Sequence, residues 1–164
     1  MTDNIIKLNS DNIVRLKIQT SDGIETGEIL EFDLEDTELP LKYQEMLEKD
    51  KKNRENLRNQ MLIIEKRQDV KGKKLLSKNQ EDEIKALNEF FAKETEVYNM
   101  FLGERGVEKL LNGRKLGWTS LQDIDEIINV QISPYLEQNM KLIQEKIKNK
   151  YGKSEEKEEV EVIE

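Results

Sequence analysis

The sequence lacks both cysteine and histidine, and each absence excludes a class of site. Without cysteine there is neither a disulfide framework nor a thiolate metal centre, so a reducing, cytoplasmic setting is the simplest expectation. Without histidine the usual general base near neutral pH is missing. Acidic pairs such as Asp123 and Asp125 are expected by chance in a chain with 35 acidic residues, and nothing marks one pair as lying in an apolar pocket. We therefore expect a protein that is not an enzyme, with no catalytic residues, no metal and no cofactor.

Apolar residues are also scarce. Hydrophobic residues make up 35% and charged residues 38% of the 164 positions, against about 45–50% and about 25% in typical domains. No apolar run approaches the ~20 residues that span a bilayer. The opening MTDNIIKLNSDN lacks the basic and apolar regions of a secretory signal. The composition predicts one domain with a modest core, no membrane contact and long solvated parts.

Charge is distributed unevenly along the chain. The net charge of −8 argues against nucleic acid as a partner, because affinity for phosphates rests on Lys and Arg. Half of that net charge falls on residues 153–164, which hold six Glu and two Lys. Residues 66–78 are instead basic, with six Lys or Arg against Asp69 alone. This stretch could contact RNA, but its shortness and lack of aromatic residues favour a solvated loop between helices.

Period-two alternation near the start of the chain predicts a β-hairpin. In IVRLKIQT (13–20) and GEILEFDL (27–34), apolar and polar residues alternate, which gives each strand one apolar face. Asp22 and Gly23 between them suit a turn with positive φ. Because an isolated hairpin is marginal in water, its apolar face must lie on helices or its edge must pair with a partner. A short third strand could come from three further apolar residues, Ile5, Ile6 and Leu8.

A long helix is predicted from about residue 37 to residue 68, with Pro40 in its first turn. Its apolar residues follow heptad spacing only at the two ends. Asp50 and Arg54 occupy the same stripe in the middle and leave a polar waist, EKDKKNREN. A continuous coiled coil would need apolar residues at those positions. We therefore expect a long exposed helix that touches its neighbours at both ends.

The next helix is the most amphipathic segment of the chain. Ser77 and Gln80 form a capping-box pattern at its start, and Gly103 marks its end. A short helix, VEKLLN, follows and stops at Gly113. The stretch from 90 to 113 holds three of the four phenylalanines. Its glycines lack the strand–loop–helix context of a phosphate cradle, so we expect them to join helices, with the aromatic residues packing that joint.

The last long helix is predicted to open at a second capping pair, Thr119 and Gln122, and to run to about residue 151. Pro134 must either kink this helix or break it in two, with Ser133 capping the second part. Trp118, the only tryptophan, precedes the helix. It is expected to cover the helix joint or to serve as a partner hot spot, and closing a small core is the commoner role of a large aromatic residue.

These patterns together predict a mainly α-helical α+β protein. A β-hairpin region covers residues 1–34, and a helical domain with three to four amphipathic helices covers residues 36–151. Residues 152–164 form an acidic tail that is predicted to be disordered, because it has too few apolar residues to bury.

Two blocks of the sequence resemble a known family. EILEFDLEDTELPLKYQEMLEK is similar to a strand that leads through an acidic cap into a helix. EFFAKETEVYNMFLGERGVEKLLNGRKLGWTSLQDIDEII is similar to a block in which an aromatic pair precedes a glycine-punctuated segment and a helix. Together they resemble the tail assembly chaperone-like small tail proteins of Gram-positive siphophages and prophages. Leu102, Arg105 and Asn112 depart from that pattern.

The resemblance implies a non-catalytic tail assembly chaperone in the cytoplasm of the bacterial host. Such a protein binds the long, helical tape-measure protein and keeps it soluble while the tail-tube protein polymerises around it. The implied partners are these two proteins and a weak homo-oligomer. Helix-in-groove binding of this kind uses apolar anchors one helical turn apart. The candidate partner-binding residues are the aromatic and leucine side chains of the amphipathic segments: Phe90, Phe91, Tyr98, Phe101, Leu110, Trp118 and Leu121.

Three alternatives remain open at this stage. A structural tail component, scaffold or helical adaptor that stays in the particle would have a similar sequence. An enzyme that uses acidic residues with magnesium would need one compact acidic pair. An acidic mimic of DNA would need carboxylates in rows on one face, whereas here the acids alternate with lysines.

Overall fold

The computed structural model describes residues 4–152 and shows the mainly helical α+β fold that the sequence predicts. The predicted disordered tail falls almost wholly on residues 153–164, which lie outside the described residues. The elements are two strands, five α-helices and two π-helical turns, in this order: β1 (Ile13–Gln19), β2 (Glu25–Asp33), α1 (Leu39–Lys66), α2 (Lys78–Leu102), α3 (Gly106–Leu111), α4 (Trp118–Ile127), a π-helical turn (Ile128–Ile132), α5 (Ser133–Ile147) and a second π-helical turn (Lys148–Gly152).

The two strands form an antiparallel hairpin whose apolar face lies on the helices. Leu16 pairs with Leu30, and Gly23 adopts φ +82° in the turn between the strands. Phe32 is buried and its ring centroid lies 5.9 Å from that of Phe101 on α2. The hairpin and the helices therefore share one hydrophobic core.

The predicted third strand is absent from the described part of the N-terminal segment, where residues 4–10 have no regular structure. Ile5, Ile6 and Leu8 are 74%, 92% and 89% exposed. Neighbouring side chains point to opposite faces of a strand, so the adjacent Ile5 and Ile6 cannot both face the core. A short segment that buries so little apolar area does not offset the cost of ordering its backbone.

Helices α1 and α2 pack against each other along most of their length. Met46, Leu57 and Ile64 of the two apolar ends are buried, as the expected contacts at both ends require. The expectation that α1 is otherwise exposed is wrong, because contact continues through the polar waist, where the Asn53 amide donates to Glu94 of α2 at 2.9 Å. The polar waist fails to expose the helix because α2 presents a polar side chain, Glu94, at the same level. The two polar segments cover each other.

The start of α2 has the predicted capping box. The Ser77 hydroxyl accepts from the backbone N–H of Gln80 at 3.2 Å, and the Gln80 side chain accepts from the backbone N–H of Ser77 at 3.0 Å. The side chain of Asn79 donates to the carbonyls of Ile64 and Arg67 and so satisfies the end of α1. These bonds join the two helix ends across the basic connection.

The joint between α2 and α3 is tightly packed, as the glycine spacing predicts. Gly103 ends α2 with φ +98°, and Arg105 precedes α3 in the left-handed region. A Cβ atom on Gly106 would lie 2.5 Å from the Cβ of Leu102. The side-chain oxygen Oδ1 of Asn99 accepts from the backbone N–H of Val107 at 2.7 Å. Gly106 therefore allows the first turn of α3 to contact the last turn of α2.

The capping residues predicted for α4 and α5 are wrong. Helix α4 begins one residue earlier than Thr119, because the Ser120 hydroxyl accepts from the backbone N–H of Gly117 at 2.8 Å and takes the role given to Gln122. Ser133 has helical dihedrals and its side chain caps nothing. The preceding π-helical turn accommodates Pro134, whose ring cannot follow a regular α-helical turn.

Helix α5 is fastened to the segment that leaves the hairpin. The buried side chain of Asn139 donates to the carbonyls of Leu34 and Asp36, both at 2.9 Å. Lys146 pairs with Glu35 two turns further along. Within residues 4–152, none of the helices combines the length and the apolar character of a membrane span.

Candidate functional site

A groove lies on the surface between α2 and the connection from α3 to α4, with a volume of about 480 Å³. We call it the aromatic groove, because Phe91 lines it and Trp118 packs against that ring. The ring centroids of Phe91 and Trp118 are 5.1 Å apart in an edge-to-face arrangement. The apolar lining consists of Phe91, Ala92, Val107 and Leu116, with Thr95 beside them.

Trp118, the only tryptophan of the chain, is 50% exposed to solvent. It rests on Phe90, with 5.3 Å between ring centroids, and Phe90 is itself buried. A large aromatic side chain that packs on a buried ring with one face and is exposed to solvent on the other is typical of residues that anchor a partner. Trp118 therefore packs over the joint, as one of the two expectations has it, and its exposed half leaves the role of partner hot spot a prediction.

The rim of the aromatic groove is basic on the side of the α3–α4 connection. Asn112 and Gly113 both have positive φ, +52° and +82°, and this reversal places Arg114 and Lys115 on the surface beside the groove. Both cations are exposed, and within residues 4–152 neither has a carboxylate oxygen within 4.0 Å. Glu108, the acidic residue of the lining, instead accepts from the Asn99 amide at 3.0 Å.

The structure separates the predicted partner-binding residues into two groups. Phe90, Tyr98, Phe101 and Leu121 are core residues with 1–3% exposure, so none is open to a partner in this conformation. Phe91 and Leu110 are half-buried, and Trp118 is half-exposed. Leu110 lines a different concavity, between α3 and α4. Of the predicted set, only Phe91 and Trp118 come together at one accessible site.

A second polar feature lies inside the helix bundle. Glu94 of α2 is fully buried, and its Oε1 accepts from the Asn53 amide at 2.9 Å. Its Oε2 has no donor among the described residues. Burial, together with a hydrogen bond to the neighbouring Asp50 carboxyl group, raises the pKa of Glu94 to about 8. Glu94 is therefore protonated at neutral pH, and its O–H can donate to Asp50.

The remaining groups around Glu94 form ion pairs and hydrogen bonds at the edge of this cluster. Arg54 contacts Asp50 at 2.8 Å and Asp125 of α4 at 3.4 Å. The Tyr98 hydroxyl donates to Asp125, and burial raises the pKa of Tyr98 above its usual value. The polar waist of α1 thus connects three helices. Every member of the cluster has a structural partner, so we assign it to stability and not to ligand binding.

Sequence reasoning missed the buried carboxylate and the basic rim. Glu94 lies among the apolar positions of a strongly amphipathic helix, one turn before Tyr98, and an acidic residue on that stripe is the available signal. Arg114 and Lys115 occur next to a glycine in a turn. Only the reversal at Asn112 and Gly113 shows that these cations border an aromatic site.

No family model, curated protein or solved structure matches this chain.

Proposed function

We propose that the protein is a non-catalytic phage tail assembly chaperone that binds apolar helical segments of a tape-measure protein in the host cytoplasm. The observation that carries the proposal is the half-exposed Trp118 beside Phe91 at the edge of the aromatic groove. The second of the two sequence blocks that resemble such chaperones includes both residues.

The dimensions of the groove suit a client that is held and later released. A groove of about 480 Å³ takes one or two apolar side chains from one face of a helix. Burying each such side chain contributes roughly 1.5–3 kcal/mol before the cost of association. Each contact is therefore weak, and many copies along a long client would be needed to cover it. Weak single contacts also allow the tail-tube protein to replace the chaperone during assembly.

Net charge supports the same role. At −8 on 164 residues, neighbouring copies on one client repel each other and the complex resists precipitation. The exposed aromatic pair supplies the attraction to the client. The negative charge of the remaining surface keeps one chaperone–client complex from associating with another.

The experiment is co-expression with the tape-measure protein from the same phage or prophage. We expect the soluble fraction of that protein to rise when this chain is present and to fall again for Trp118→Ala combined with Phe91→Ala. A matched control is Leu41→Ala with Ile63→Ala, which removes two apolar side chains of 66% and 64% exposure away from the groove. A soluble fraction that does not respond to the chain, or responds equally to both double variants, would reject the proposal.

Mass spectrometry of purified particles tests the main alternative. A chaperone leaves the tail once assembly ends, so we expect no stoichiometric amount of this chain in finished particles. Its recovery there in fixed ratio to the tube subunit would instead assign it as a structural tail component.

A further inference from the structure

The basic rim of the aromatic groove and the acidic end of the chain have complementary charges. Arg114 and Lys115 lie exposed beside Phe91 and Trp118 without a carboxylate partner in residues 4–152. Residues 153–164, KSEEKEEVEVIE, combine six Glu with three apolar residues, Val160, Val162 and Ile163. The segment therefore has negative charge that complements the basic rim and apolar side chains that match the apolar lining of the groove.

A long helical path separates residues 153–164 from the groove of the same molecule. Helix α4, the π-helical turn, α5 and the last turn run without a break from Trp118 to Gly152, a rise of roughly 50 Å at about 1.5 Å per residue. Twelve residues, even fully extended, span at most about 40 Å. Because this helical path is longer than the extended segment, chain length and charge complementarity together favour a second copy over the same molecule.

We propose that residues 153–164 of one copy dock in the aromatic groove of a second copy. Glutamates of the segment pair with Arg114 and Lys115, and its apolar side chains contact Phe91 and Trp118. Glu108 in the same lining accepts from the Asn99 amide at 3.0 Å, so the two cations of the rim are the groups that attract the segment. The contact joins two different surfaces, so a pair of copies still has one free groove and one free segment, and the copies associate in open chains.

This inference goes beyond the proposed function and does not depend on which client binds. If an apolar client does enter the groove, it competes with the segment. Self-association and client binding then exclude each other at the same groove. Copies without a client stay bound to one another until a client is present.

Charge exchange in the full chain tests the direct pairing. We expect wild-type protein to show concentration-dependent association in sedimentation velocity, and Arg114→Glu with Lys115→Glu to weaken it by about tenfold, since several exposed charge pairs are lost or reversed. Adding Glu158→Lys and Glu159→Lys to the same chain should restore association. The control adds Glu48→Lys and Glu55→Lys on α1 instead, which returns the same net charge without rebuilding the pairs and should restore nothing.

Trp118 supplies a second readout, because a synthetic peptide of residues 153–164 contains no tryptophan. We expect the peptide to change Trp118 emission in the full chain and to reduce self-association. A peptide with Ser in place of Val160, Val162 and Ile163 should bind severalfold more weakly, because the apolar contacts are lost. A monomer at all concentrations, equal effects of both rescue pairs, or unchanged Trp118 emission with the peptide would each overturn the proposal.

Discussion

Replacing the buried Glu94 by glutamine should change how the stability of the protein depends on pH. The carboxyl group has no exposed surface, accepts from Asn53, and has a pKa raised to about 8 from an ordinary value of 4.5. In the unfolded chain the same group ionises near its ordinary value. Folded and unfolded states therefore bind different numbers of protons over the interval between these two pKa values.

The direction follows from proton linkage. Between pH 4.5 and about 8, the folded state holds one more proton than the unfolded state, so the free energy of unfolding falls as pH rises. The slope is about 1.4 kcal/mol for each pH unit. Below this window both states are protonated, and above it both are ionised, so the contribution is constant at either end. The total loss is at most about 5 kcal/mol, an upper bound because water can enter the interface once the carboxylate forms.

The Glu94→Gln variant removes this titration while keeping the shape of the side chain. Its carbonyl can still accept from Asn53, and its amide can donate to Asp50. We expect the variant to match the wild type within about 1 kcal/mol near pH 5. Near pH 8 the variant should be more stable by about 2–4 kcal/mol, since it has no proton to lose.

Urea unfolding followed by circular dichroism, at several pH values between these limits, measures the difference. The other carboxylates titrate alike in both proteins and cancel in that difference. Glu96→Gln, an exposed change on the same helix, serves as the control and should follow the wild type. Asp50→Asn should lower the upper limit of this pH interval, because it removes a group that raises the pKa of Glu94. A difference between wild type and Glu94→Gln that stays constant with pH would refute the reasoning.

Four further substitutions test the joints of the fold, each by its midpoint of urea or thermal unfolding. Gly106→Ala should cost about 1–3 kcal/mol, because the new methyl group would lie 2.5 Å from the Cβ of Leu102; an unchanged midpoint would mean that α3 moves freely. Ser77→Ala should cost about 1 kcal/mol through loss of the capping box. Thr119→Ala, the cap that the sequence suggests and the structure does not use, should change stability by less than about 0.5 kcal/mol, and equal effects of the two would contradict the assigned caps. Asn139→Ala should cost about 1–3 kcal/mol, since two buried carbonyls lose their donor, and a neutral result would show that water replaces the amide.

The sequence predicts regular elements well where local chemistry determines them. Alternation places both strands, and the Ser77 pattern marks the start of α2, because these signals depend on neighbouring residues alone. The expectation that the polar waist of α1 faces solvent is wrong, because the environment of the waist depends on a residue far away in the sequence. Whether Asp50 and Asn53 face solvent or another helix depends on Glu94, which lies 41 residues beyond Asn53, and one helix pattern carries no information about its partner.

The candidate site could be predicted only in part. An aromatic-rich segment near Trp118 is visible in the sequence, yet Tyr98 and Phe101 proved to be core residues because α1 and the hairpin cover them. Helical periodicity identifies an apolar stripe but cannot say which part of it another element buries. The resemblance to tail assembly chaperones, and the partners that it implies, remain predictions.

The contact between Asn53 and Glu94 has a consequence for how α1 and α2 align. Sliding α1 by one turn, about 5.4 Å, would bring Leu57 opposite the carboxyl group in one direction and Lys49 in the other. In neither displaced arrangement does the Glu94 carboxyl group have both the Asn53 amide as donor and Asp50 as neighbour. An interface made of leucines alone would tolerate several alignments of the two helices. A single acidic side chain in the interior thus selects one alignment of two long helices from a set that apolar packing would leave nearly equal in energy.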